Sequence, residues 1–154
     1  MKSIISFLLA CASCEAKSIV NEDLIHKVGI IESNLDTKAT GDDGESLGAF
    51  QISRRAWSDA VSYSKIVAGP HDYTLPEAWK DWAHDYEMSH RAAGLILRMH
   101  EERMLKNKVK PTPFKLYMAY NMGYQGAAQH GFDIKQTWGL RRAILVRAQT
   151  ILSK

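Results

Sequence analysis

Glu32 closes an apolar helical pattern, VGIIESNLD, with Ile25 and Val28 seven and four residues before it. A helix puts that carboxylate on the flank of the apolar stripe. There its charged form is disfavoured and its pKa rises, as a general acid working near neutral pH requires. The ordinary alternative is a solvated glutamate at a helix end. Downstream, the loop GDDGES (41–46) carries Asp42, Asp43 and Glu45. It is either a solvated turn of the kind Gly and Asp favour or the source of a second carboxylate facing Glu32. Two carboxyl groups across a cleft are the usual equipment for breaking a glycosidic bond. In GAFQI (48–52), Gln51 is one polar side chain among apolar neighbours: an exposed strand position, or an amide aimed into a cleft. Tyr120 and Asn121 sit in AYNMG (119–123), either as helix-terminating chemistry or as a phenol and an amide available to a sugar.

Other chemistry is weakly represented. The six histidines are scattered, with no His-x-x-x-His pair and no HExxH, so no metal is expected. P-loop and GxGxxG patterns are absent from the sequence, and no cofactor is called for. Arg54-Arg55, Arg141-Arg142 and Lys106/Lys108/Lys110 read singly as solvated helix faces; together they favour an anionic polymer. The net charge of +3 and pI near 8.8 are a mild basic excess, short of a nucleic-acid signature.

Helices must position these groups. Asn21 is a good N-cap, with Glu22 and Asp23 favourable in the first turn, and Leu24, Val28, Ile31 and Leu35 follow at helical spacing. Ser53 caps a second helix bearing Trp57, Ala60, Val61 and Ser64. From Pro76 a helical pattern runs toward Lys106, with a break expected near Asp85–Ser89. Pro111 and Pro113 open a helix to about Asn121. Asp133 caps a last one carrying Ile134, Trp138, Arg141, Leu145, Ala148 and Leu152. Residues 36–46 and 68–76 read as loops. No clean alternating strand pattern exists. The expected fold is mainly α in an α+β sense: a single helical domain with a small irregular β/loop region around residues 36–52. The 154 residues, 45% of them hydrophobic and 24% charged, suit one domain with one core and exclude a disordered or multi-span membrane chain.

The first sixteen residues, MKSIISFLLACASCEA, have a basic start, a short apolar run and small residues, the layout of an export signal. The expected division is signal 1–16 and mature domain 17–154. Leu8-Leu9-Ala10-Cys11 also resembles a lipobox, which would make Cys11 a lipid anchor and the signal or anchor the only membrane contact. Removing 1–16 takes away both cysteines; a lipidated Cys11 would instead stay as the chain's end. Lys2 and Glu15 leave together, so the charge stays at +3.

Taken in order, Glu32-Ser33, the Gly-rich loop, Ser46-Leu47-Gly48-Ala49-Phe50-Gln51-Ile52 and Ala119-Tyr120-Asn121-Met122-Gly123 resemble the soluble lytic transglycosylases and goose-type lysozymes. Glu32 and Gly48 are sixteen residues apart, similar to the spacing in those enzymes. Ala49-Phe50 stands where Leu-Met is commoner, Met122 where a small residue follows the asparagine, Tyr124-Gln125-Gly126 where a proline is frequent, and Asn34-Leu35 where Asn-Pro often follows. The resemblance implies a lysozyme-like fold and cleavage of the bond between N-acetylmuramic acid and N-acetylglucosamine in peptidoglycan. It implies Glu32 as catalytic acid and base, with Ser46, Gln51, Tyr120 and Asn121 around the substrate and no cofactor. With the export signal it points to an exported monomer, periplasmic, in the cell envelope or extracellular, whose partner is the glycan strand. Two outcomes stay open: a 1,6-anhydro product formed without a second carboxylate, or hydrolysis assisted by Asp42 or Asp43. A catalytically inactive wall-binding module is the third.

Overall fold

The computed structural model describes residues 17–67 and 75–154. The expected export segment 1–16, with Cys11 and Cys14, and most of the expected loop 68–76 lie outside the described residues. The fold is mainly α with a small antiparallel sheet, as the sequence suggests. Among the described residues no helix is long and apolar enough to cross a membrane.

The first helix, α1 (Glu22–Ser33), starts where Asn21 accepts from the Leu24 amide at 2.9 Å. It ends at Asn34, whose left-handed backbone (φ 58°) returns its N–H to the Gly29 and Ile30 carbonyls. That is the usual way a helix satisfies its last carbonyls. Three two-residue strands follow: β1 (Thr40–Gly41), β2 (Ser46–Leu47) and β3 (Ile52–Ser53), in sheet order β1-β2-β3. Both pairs are antiparallel, with Gly41 opposite Ser46 and Leu47 opposite Ile52.

Ser53 accepts from the Ala56 amide (3.2 Å) and opens α2 (Arg54–Val67). The long pattern after Pro76 divides into α3 (Trp79–Trp82) and α4 (Tyr86–Lys106). The break falls at 83–85, just before the expected place, because Asp85 caps α4 by accepting from the Met88 amide at 2.8 Å. α4 packs against α1, α2 and α5 and buries Ala92, Ala93, Ile96 and Leu97 at its middle. Two core tryptophans have their donors satisfied: Trp57 on the Pro76 carbonyl (2.9 Å) and Trp79 on the Ile52 carbonyl (2.8 Å). A buried indole N–H needs such a partner.

Two helix ends differ from the sequence pattern. The helix opened by Pro113, α5, does not stop near Asn121 but continues to Gln129. It bends at Gly123, whose φ of 72° and ψ of 154° only glycine adopts easily, and burial of Tyr124 and Ala127 holds the second segment. The last helix, α6, begins at Gly139 rather than beside Asp133. Asp133 caps a 3-10 turn at Ile134–Gln136 instead, and extended Thr137 and Trp138 separate it from α6. Trp138, placed on the buried stripe by its spacing, is therefore 75% exposed.

Candidate active site

The last full turn of α1 delivers Glu32 to a cleft of about 560 Å3. Its wall comprises β2 and β3 with the turn between them, α5 at Tyr120 and Asn121, and α6 at Leu140, Arg141 and Ile144. Of the residues singled out by sequence, Glu32, Asp42, Ser46, Gln51, Tyr120 and Asn121 all line this cleft. Asp43 does not. The chain turns through left-handed conformations at Asp42 and Asp43 (φ 49° and 54°), and Asp43 lines a separate groove with Trp57, Lys65 and Glu77. Only Asp42 is left as a second carboxylate. That other groove, about 800 Å3, is larger. There the pKa of Glu77 is lowered by its 2.6 Å ion pair with Lys65, which is the opposite of what a general acid needs.

The Glu32 carboxyl is partly buried and its pKa is pushed up to about 7. Desolvation is the main cause, and Asp42 adds to it through charge repulsion. Three groups pull the other way: the Tyr117 hydroxyl, the Arg147 guanidinium and the Asn121 amide. Desolvation prevails because Ile52, Ile96 and Ile144 share the same wall, and apolar surroundings penalise charge more than one hydrogen bond repays. Glu32 is thus present both as acid and as carboxylate near neutral pH, and can give a proton and take one back.

Backbone carbonyls hold the cleft in shape. Ser33 Oγ donates to the Ala49 carbonyl at 2.8 Å, and Tyr120 Oη to the Phe50 carbonyl at 2.7 Å. Gln51 (φ 46°) turns its Nε2 onto the Gly48 carbonyl at 3.0 Å. Gln51 is therefore a turn residue rather than an exposed strand position. Ser46 Oγ donates to Asp42 Oδ2 at 3.0 Å. The protons of Tyr120 and Ser46 are committed to the protein itself, so both residues shape the cleft more directly than they can donate to a ligand.

Gly48 makes the turn possible. Its φ is +74°, and a Cβ there would stand 1.9 Å from the Ala83 carbonyl oxygen. The turn accordingly sits directly on the α3–α4 junction.

Two residues that act on Glu32 escape sequence reading. Tyr117 is fully buried and reads as core in FKLYMAY; its position four residues before Asn121 is the signal that it shares the polar face. Arg147 donates to the Ile31 carbonyl from α6, and nothing in its local sequence marks it. Among the described residues no group of three or more His, Cys, Asp or Glu could hold a metal ion.

Compared with protein-family models, curated proteins and solved structures, the chain matches none.

Proposed function

We propose that this protein is a peptidoglycan lytic transglycosylase with Glu32 as its general acid and base. The observation that carries the reading is the Glu32 carboxyl, its pKa pushed up to about 7 by desolvation, in a cleft lined also by Gln51, Tyr120 and Asn121. Glu32 protonates the glycosidic oxygen as the bond to the muramic acid C1 breaks. The resulting carboxylate takes the proton from that sugar's C6 hydroxyl, whose oxygen bonds to C1 and closes a 1,6-anhydro ring. Atoms balance without water, and Glu32 ends in its starting protonated form. Burial of the carboxyl supports the first step by favouring the acid. Tyr117, Asn121 and Arg147 support the second by steadying the carboxylate. The resemblance of the three sequence blocks and the basic surface agree with an acidic wall polymer as partner.

The position of Asp42 on the same wall favours a second reading, hydrolysis through a water held between Asp42 and Glu32. Incubation with purified peptidoglycan and mass analysis of the products separates the two. Anhydro-muropeptides are expected, and they are one water lighter than hydrolysed ends. Exclusively hydrolysed ends, lost in Asp42→Asn, would replace the transglycosylase with a lysozyme. Glu32→Gln should reduce cleavage by roughly 10^2–10^4-fold; undiminished cleavage would remove Glu32 as the acid.

A further inference from the structure

The cleft does not end at α6. Arg141 lines it and also lines a smaller groove of about 200 Å3 with Met122, His130, Thr137 and Trp138. Two features of the backbone create this groove. The bend at Gly123 brings Met122 to its wall, one residue from the cleft residue Asn121, and the late start of α6 leaves Trp138 outside the core. Trp138 is 75% exposed, and its ring lies against His130 with centroids 5.6 Å apart. Leu140, 79% exposed, lies on the cleft wall beside it. A solvent-facing indole and leucine at the rim of a polar cleft lose apolar burial unless something covers them. None of the ion pairs among the described residues involves Arg141.

We propose that this second groove is a sugar subsite for the same glycan strand, one that lengthens the cleft beyond the reacting sugars. The inference rests on the reading of the cleft as a peptidoglycan site. Trp138 offers a rigid flat apolar face to the C–H face of a pyranose ring, and His130 behind it fixes the angle of that face. Arg141, at the junction, meets a carboxylate of the strand, from a lactyl group or a peptide stem, with a guanidinium that needs no protein partner displaced. Continuity through one shared residue fits a polymer that crosses from groove to groove.

The test compares muroglycan tetrasaccharide and octasaccharide binding by calorimetry, in Glu32→Gln protein to prevent turnover. The octasaccharide is expected to bind more tightly. Its advantage over the tetrasaccharide should fall roughly fivefold in the Glu32→Gln/Trp138→Ala double variant, the scale of one aromatic contact, and be largely kept with Trp138→Phe. Folding is not at risk, since the side chain lies outside the core. If the tetrasaccharide binds and the octasaccharide gains nothing from Trp138, the subsite is overturned while the reading of the cleft stands. If neither binds, both fall. A wild-type protein that sediments as a dimer, and as a monomer with Trp138→Ala, would assign the patch to a second copy of the chain and overturn the proposal as well.

Discussion

The Tyr117 hydroxyl donates to Glu32 Oε1 at 2.8 Å, joining residues 85 apart in sequence. Tyr117 is fully buried in α5 while Glu32 lies at the end of α1, so the contact fixes the carboxyl against the helix core. It also opposes the desolvation that raises the Glu32 pKa, because a donated hydrogen bond favours the charged acceptor.

Removing the donor should therefore move the Glu32 pKa up, not down. Tyr117→Phe keeps the ring and loses one bond to a charged group, which predicts a rise of about one unit. A pH titration of the Glu32 side-chain carboxyl by carbon NMR checks this. A fall, or no change, would mean that the bond does not steady the carboxylate.

Glu32 itself should make the protein less stable in base. Its folded pKa of about 7 lies above the ordinary 4.5. Between those values the native state binds more protons than the unfolded chain, so the contribution is full below about pH 4.5 and lost as pH rises through 7. Glu32→Gln keeps the acceptor for Tyr117 and removes the charge. It should stabilise the protein at pH 8 relative to pH 4.5 by about 2 kcal/mol, discounted from the ~3 kcal/mol of the full shift for partial solvent screening. Urea unfolding at both pH values measures the difference.

His100 should have the opposite slope. It is buried in α4 with Nδ1 unpaired among the described residues, stacked on Tyr124 (centroids 6.4 Å apart). Burial, with the nearby Arg103 charge, lowers its pKa to about 4. Its stability contribution is full above the ordinary 6.5 and lost as pH falls through about 4. His100→Phe preserves the stack and should reduce the acid-side loss between pH 6.5 and 4 by roughly 2–3 kcal/mol. Unchanged acid unfolding of this variant would show that His100 is not the group responsible.

Gly48 and Gly123 both have positive φ, and only Gly48 is crowded. Gly123→Ala should cost about 1–3 kcal/mol for backbone strain alone. Gly48→Ala must also displace the Ala83 carbonyl and should cost clearly more, with loss of the Gln51 turn. Chemical denaturation of the two variants side by side ranks them; equal costs would mean that the turn can move off the α3–α4 junction.

Local patterning determined much of this protein. The Asn21 and Ser53 caps, the apolar stripe of α1, the predominance of helix and the small sheet near 36–52 follow from contacts within a few residues, which the chain carries wherever it goes. The blocks around Glu32, Gln51 and Tyr120–Asn121 were legible for the same reason, each being a short run with its own chemistry. Tertiary structure decided the rest. Asp42 and Asp43 are neighbours of one composition, and only two successive left-handed residues set which one faces Glu32. The course of α5 past Gly123 and the late start of α6 depend on what Tyr124 and Ala127 bury and on the extended Thr137–Trp138. Tyr117 and Arg147 reach Glu32 from helices far along the chain. The pKa of Glu32 is a property of that assembly, since its desolvation comes from burial in a cleft to which β3, α4 and α6 contribute Ile52, Ile96 and Ile144.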